Sequence, residues 1–293
     1  MVISRASSLA WSLAATAALS GCGGGGGVKG ENTEASGVPP GYRLVWSDEF
    51  NSGTALSSTW TYDEGAPLLG GSVWGNAEQQ FYTSETSNVR IESGALVIQP
   101  VAGLPAGAPT NLNLVASSAR VKTDTNTFYS ALGNSPYGFY EIKADIPCVA
   151  GAWPAIWMMG KTGDWPARGE LDIMEWFGKY FAADPDQIQS GVHMAAFYGA
   201  TSKYQKLAWD GVCTGFHRFQ LHWEATKLTF AVDDQTIFTY DKPANATADT
   251  WPFDQPAHLL MNVAVGGNLG GSVKTADIAN MAMRVDYVKV WQP

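Results

Sequence analysis

Charge is scarce in this chain. Lys and Arg number 18 and Asp and Glu 27, so charged residues make up 15% of 293 and the formal net charge is -9. A phosphate backbone is gripped by clustered Lys and Arg, and their scarcity excludes a nucleic-acid partner. Cysteine is rarer still: there are 3 residues, with no Cys-x-x-Cys and no Cys/His cluster, which excludes a zinc centre. No long segment sustains a helical period and no internal repeat is visible. What is plentiful is Gly (32), Trp (12) and Tyr (11), the profile of a turn-rich, aromatic-rich protein. Flat indoles stack on the apolar C–H faces of sugar rings, so this balance suits a neutral polymer, although Trp also fills cores.

The one long apolar run is N-terminal. "MVISRASS" carries a single Arg and "LAWSLAATAALSG" is too short to span a bilayer as a stable helix, so residues 1–21 are expected to be a targeting signal. The run ends in "LSGC", Leu19 to Cys22, which resembles the lipobox of bacterial lipoproteins. The resemblance implies cleavage before Cys22, lipid on its thiol, and tethering at the outer membrane or cell surface; a plain secreted protein is the alternative. Residues 22–38, Gly-rich and without apolar periodicity, read as a flexible linker, and residues 39–293 as one domain. An exported chain meets oxidising conditions, so Cys148 and Cys213 are a candidate disulfide, with two free thiols as the alternative.

From Pro39 onward, short β-rich runs such as "YGFYEIKADIP", "FHRFQLHWEA", "KLTFAVDD" and "VDYVKVWQP" are separated by Gly, Asp, Asn and Pro. "VDDQTI" predicts a hairpin turn and "DKPANATADTWPFDQP" a long surface connection. Several runs alternate apolar and polar residues, as half-buried antiparallel strands do. The fold expected is an all-β sandwich of two packed antiparallel sheets with a concave face; a barrel is the alternative. A monomer is expected.

The stretch "GELDIMEWFG" places three carboxylates, Glu170, Asp172 and Glu175, in an apolar strand. Alternation puts Glu170 and Asp172 on one face and Glu175 on the other. Burying a carboxylate among apolar residues is costly, which leaves two solutions. Either Glu175 is a solvated residue on the opposite face, or a β-bulge restores a common facing. With a bulge the two glutamates act like positions four apart, ~13 Å along the strand, and side chains leaning inward narrow that gap. Paired carboxylates of this kind serve glycosidic cleavage.

"ELDIME" resembles the E-x-D-x-x-E signature of glycoside hydrolase family 16, in the bulged form of laminarinase-type endo-β-1,3-glucanases. "VWGNAEQQFYT", "SSARVKT", "GAWPAIWMMG", "LLMNVAVGGN" and "VDYVKVWQ" resemble further family blocks in the family's order, so the similarity runs from about Tyr42 to Gln292. It implies a β-jelly-roll with a concave polysaccharide cleft. Glu170 matches the nucleophile, Glu175 the general acid/base and Asp172 the auxiliary acid. Trp153 and Trp165 match donor-side cleft tryptophans, Asn76 and Arg120 polar contacts to sugar hydroxyls, and His193 a histidine beside the acid/base. Trp46 and Trp157 read as packing residues.

The resemblance further implies one structural calcium at Glu49, Gly94 and Asp286, held largely by backbone oxygens, and no cofactor for catalysis. Two departures stand out: "GGNLGGSV" puts Leu269 where many laminarinases have Trp-Pro-Gly, and "VAGLPAGAPTNLNLVAS" resembles a loop insertion. The activity implied is endo-acting, retaining hydrolysis of β-1,3-glucan, with the membrane reached only through the lipid. The alternatives are another β-linked polysaccharide, such as mixed-linkage glucan or agar, or a non-catalytic glucan-binding protein.

Overall fold

The computed structural model describes residues 37–293. The expected signal segment, Cys22 with its expected lipid, and nearly all of the expected linker lie outside the described residues. β1 (Arg43–Asp48) and β2 (Trp60–Tyr62) come first, then the small hairpin β3 (Leu68–Leu69) and β4 (Ser72–Val73). β5 (Gln80–Tyr82), β6 (Val89–Glu92) and β7 (Ala95–Ile98) precede β8 (Val101–Ala102), β9 (Ala116–Ser118) and β10 (Arg120–Thr123). Helix α1 (Thr125–Ala131) leads into β11 (Gly138–Asp145), β12 (Ala152–Gly160) and β13 (Glu170–Trp176). β14 (Gln187–His193), β15 (Lys203–Ala208), β16 (His217–Trp223), β17 (Lys227–Val232) and β18 (Gln235–Asp241) follow. β19 (Ala257–Val265), the single turn α2 (Gly267–Gly270) and β20 (Met283–Gln292) close the chain.

Two antiparallel sheets pack face to face, so the sandwich is realised and the barrel is not. One sheet has the order β15-β14-β13-β12-β19-β10-β2. The other runs β18-β17-β16-β11-β20-β7-β6, with β1 also on β20. Between them, Ile156, Met158, Leu171 and Trp176 of the first sheet bury against the layer formed by Tyr140, Ile142, Phe219, Leu221 and Val288. Residues alternating with the first set point outward, and this outer face of the seven-stranded sheet carries the three acids.

The hairpin expected at "VDDQTI" joins β17 to β18 through Asp233 and Asp234, both at positive φ (45° and 70°). That is the backbone a tight two-residue connection between twisted strands requires. The 241–256 connection departs from expectation, because its middle is not superficial. Trp251 and Phe253 are buried, Trp251 stacks on Tyr240 at 16°, and the Trp223 indole donates to the Phe253 carbonyl. The insertion forms β8 and β9, with β9 lying parallel to β5. Trp46 packs against Trp60 and Phe128, as expected. Among the described residues no helix is long and apolar enough to cross a membrane.

Candidate active site

The bulge is present on β13. Asp172 lies opposite Trp157 on β12 and Gly191 on β14, while Glu175 lies opposite Ala155 and Gln189. Two residues of β13, Ile173 and Met174, thus occupy the space facing one residue on each neighbour, and both are fully buried in the core. The Ser190 hydroxyl donates to the Ile173 carbonyl at 2.7 Å, occupying a carbonyl at the interrupted part of the ladder. The extra residue resets the alternation, and Glu175 emerges on the face of Glu170 and Asp172.

Each glutamate has its own donors. The Trp165 indole N–H donates to Glu170 Oε2 at 2.6 Å. The Trp153 indole donates to Glu175 Oε1 at 3.1 Å, and the Gln189 amide to Oε2 at 3.3 Å. Asp172 stands between, with its buried Oδ2 3.4 Å from His193 Nε2. Donor atoms of Glu170, Asp172 and His193 converge within 4.8 Å. Burial first, and the Asp172 charge second, push both glutamates up to about 8. The hydrogen bonds then decide which ionises more readily, because a donated N–H favours the anion. The short Trp165 bond favours a carboxylate at Glu170, whereas Glu175, 9% exposed and holding longer bonds, is the better proton store.

His193 is pulled two ways. Burial pulls its pKa down, but the hydrogen bond and charge of Asp172, with the charges of both glutamates, outweigh that and raise it to about 9. Against this, the Gly199 backbone N–H points at Nδ1 at 3.2 Å, a contact that requires an unprotonated nitrogen there. In this geometry Nε2 carries the proton toward Asp172, and a second proton on Nδ1 would forfeit the Gly199 bond.

The residues expected to bind substrate separate into two groups. Trp153 and Trp165 touch the Glu175 and Glu170 carboxylates directly, and Trp165 also sits edge-on to Tyr198 at 5.6 Å. Asn76 lies beside the end of β19, where its carbonyl accepts from Asn268 N and its amide reaches Glu78 Oε1 at 3.5 Å. Arg120 is on the same outer face, but its guanidinium is sandwiched between Trp74 and Trp157, each 4.6 Å away, with Asp63 3.1 Å from Nε. It therefore braces the cleft floor, sharing the Asp63 carboxylate with Lys122. Trp157 corrects a sequence expectation. Opposite Asp172, it faces the cleft rather than the core, half-buried, with its indole donating to Asn262 Oδ1 at 2.8 Å. "AIWMMG" is apolar on both faces, so alternation gave no signal.

Two further residues escaped the sequence reading. Gln189 was invisible because only strand pairing brings it to Glu175. Glu78 is buried, bonded by the Gln80 amide at 2.6 Å, and pushed up to about 7 by burial despite Gln80 and Arg120. Leu269, the odd residue of "GGNLGGSV", packs against Trp153, Phe177 and Ala264 and so backs the wall behind Glu175.

The calcium set lies away from these groups. β20 pairs with both β1 and β7, which brings Glu49, Asp286 and the Gly94 turn to one end of the other sheet. There Glu49 pairs with Lys289 at 3.0 Å and Asp286 with Lys143 at 2.8 Å. Asn51 Oδ1 lies 3.3 Å from where a Gly94 Cβ would be. Oxygen donors of the right hardness gather, but an ammonium neutralises each carboxylate, so the set fits a cation only if the lysines swing away. Cys148 and Cys213 are bonded to each other.

A family model described as "Glycosyl hydrolases family 16" matches residues 76–289. A β-glucanase from Rhodothermus marinus is 34% identical over 278 residues, covering 89% of this chain and 88% of that protein. Among solved structures, a laminarinase from a Flavobacterium species superposes with a TM-score of 0.72 at 34% identity, covering 85% of this chain and all of that one (100%). A non-specific endo-β-1,3(4)-glucanase superposes at 0.76 with 35% identity, covering 87% and 96%, and carries a 1,3-β-D-cellobiosyl-glucose at its active site.

Proposed function

The chain belongs to family 16 of the glycosyl hydrolases, and from that premise we propose that it is an endo-acting, retaining β-1,3-glucanase. It is a glycoside hydrolase acting on β-glucan; retention, export and anchoring are the further parts of the proposal. The observation that carries the mechanism is the β13 bulge, which sets Glu175 beside Glu170 on the cleft face.

In the first step the Glu170 carboxylate, favoured as an anion by the Trp165 N–H, attacks the anomeric carbon. The glycosidic C–O bond breaks, and Glu175 gives its proton to the departing oxygen. Glu175, now a carboxylate, is stabilised by the Trp153 and Gln189 donors. It then takes a proton from a water that attacks the same carbon, releasing Glu170 and restoring the β configuration. Asp172 holds negative charge between the two glutamates and keeps the acid protonated until the leaving oxygen needs it. The test is reducing-sugar release from laminarin with proton NMR of early products. β-Anomers first, and loss of release in Glu170→Gln, are expected; α-anomers first would refute double displacement. Digesting lichenan, curdlan and agarose alongside fixes linkage tolerance.

Export by residues 1–21 and lipid attachment at Cys22 rest on the sequence segment alone; Cys22→Ser should move the protein from the membrane fraction to the medium. A structural calcium is also proposed. Strand pairing that gathers Glu49, Gly94 and Asp286 supports it, and the present lysine pairs weigh against it. If it binds, a chelator lowers Tm and leaves kcat below the transition unchanged, because the set lies outside the cleft; an unchanged Tm would remove calcium from the account.

A further inference from the structure

The cleft face does not end at the catalytic strand. Residues directly opposed in an antiparallel ladder share a face. Asp172 is opposite Gly191, which is opposite Tyr204; Glu175 is opposite Gln189, which is opposite Lys206. Tyr204 and Lys206, on the edge strand β15, therefore point to the same side as the acids, two strand spacings or ~10 Å from them. Gly191 makes room for this, since a Cβ there would lie 2.9 Å from Tyr204 Cβ.

The surface is aromatic and open. Tyr204 is 47% and Tyr180 36% exposed. Lys206 Nζ stands 4.7 Å and Lys179 Nζ 5.8 Å from the Tyr180 ring centre. Rings continue inward from Tyr180 to Phe177 at 6.3 Å and to Trp153 at 6.2 Å, whose indole bonds Glu175. Among the described residues neither lysine has a carboxylate partner. In a chain of net charge -9, two ammonium groups without a carboxylate partner thus stand over one ring. A neutral glucan offers them hydroxyl acceptors but no charge to pair with.

We propose that the β14–β15 edge is a leaving-group-side subsite, with Tyr204 stacking a sugar ring and Lys206, with Lys179, holding an anionic substituent on that part of the chain. Carboxylate and sulfate ester share the required chemistry. The side follows from Glu175: the departing oxygen takes its proton there, and this strip begins at Glu175's Gln189 flank, away from Arg120 and Trp157. The inference rests on the glucanase reading above, so wild-type release from neutral laminarin is measured first; its absence would overturn that reading rather than the subsite.

The experiment compares neutral laminarin, carboxymethylated β-1,3-glucan, sulfated laminarin and an aryl β-laminaribioside, which ends before the strip. Lys206→Met should lower kcat/KM on an anionic glucan about 3- to 5-fold at low salt, through KM, as for an exposed ion pair. The difference should vanish at ~0.5 M NaCl, where the Debye length is a few ångströms, and Lys206→Arg should restore it. Loss on the carboxymethylated but not the sulfated polymer, or the reverse, identifies the substituent. Tyr204→Ala should lower the ratio of kcat/KM on long laminari-oligosaccharides to that on the aryl glycoside by ~5-fold, as for a lost ring contact. Equal losses on all substrates, or none on either anionic polymer, would overturn the subsite.

Discussion

At the scale of single residues, the site works by giving two chemically identical side chains different partners. Burial and the Asp172 charge raise both glutamates to about 8, so neither begins with its role assigned. Indole and amide donors break the tie, and their removal has a defined sign. A donor to a carboxylate stabilises the ionised form, so losing it raises the pKa. Trp165→Phe then keeps Glu170 protonated to higher pH, moving the acidic limb of the kcat/KM profile upward and lowering activity at neutrality. Gln189→Ala keeps Glu175 protonated to higher pH and moves the basic limb, near 8 in the parent, upward instead. Limb-specific shifts of this kind in pH–rate profiles support the assignment; Trp165→Phe moving the basic limb and Gln189→Ala the acidic one would reverse it. The three acids were legible because carboxylates in an apolar strand demand an explanation. Their donors were not legible, since Trp165 and Gln189 meet them through a loop and a neighbouring strand.

At the scale of elements, the sequence posed a conflict and the backbone resolved it. Strict alternation sends Glu175 into the core and Met174 into solvent, the wrong way round for both. One extra residue exchanges them. Deleting Ile173 should remove the extra residue and leave Glu170, Asp172 and Glu175 at every second position of a regular ladder, still on one face. In a variant whose near-UV circular dichroism shows a packed fold, all three acids then stay on the cleft face, and kcat should fall by far less than the ~10²- to 10⁴-fold that loss of a general acid costs. The milder Ser190→Ala leaves the Ile173 carbonyl buried without its donor, with an expected cost of about 1 kcal/mol in denaturant unfolding and a smaller fall in kcat. A deletion variant that folds but loses ~10²-fold or more in kcat would show that a common facing alone does not place the acid. Other elements were legible in proportion to their locality. The Asp233–Asp234 hairpin lay within six letters. Helix α1 was missed because 7 residues are too few to display a period, although Asp124 caps it by accepting from Thr127 N at 2.9 Å. The buried Trp251 and Phe253 were missed because Pro, Asp and Thr around them read as surface.

At the scale of the whole molecule, two crossovers between the sheets are tied together. Cys148 lies between β11 of the eight-stranded sheet and β12 of the seven-stranded one, and Cys213 between β15 and β16, which pass back the other way. The bond therefore joins connections that hold the layers in register, on the side where β15 is the unpaired edge of the cleft sheet. Cysteine count and an oxidising destination made the pair a candidate, but only the topology makes it a staple. A separation of 65 residues implies a chain-entropy contribution of about 4 kcal/mol, less whatever the native state and the unfolded chain give back. For a domain of this size the double variant Cys148→Ser/Cys213→Ser should then melt ~10 °C lower. Below its transition it should still release sugar from laminarin, because neither sulfur touches the carboxylates. Limited proteolysis distinguishes how the stability is lost. Cleavage first between residues 209 and 216 would mean that the β15 edge loosens before the sandwich does. Cleavage spread over the chain would mean that the layers separate together. An unchanged Tm would show that sheet packing alone holds the crossovers, and the bond's topological position would then carry no energetic weight.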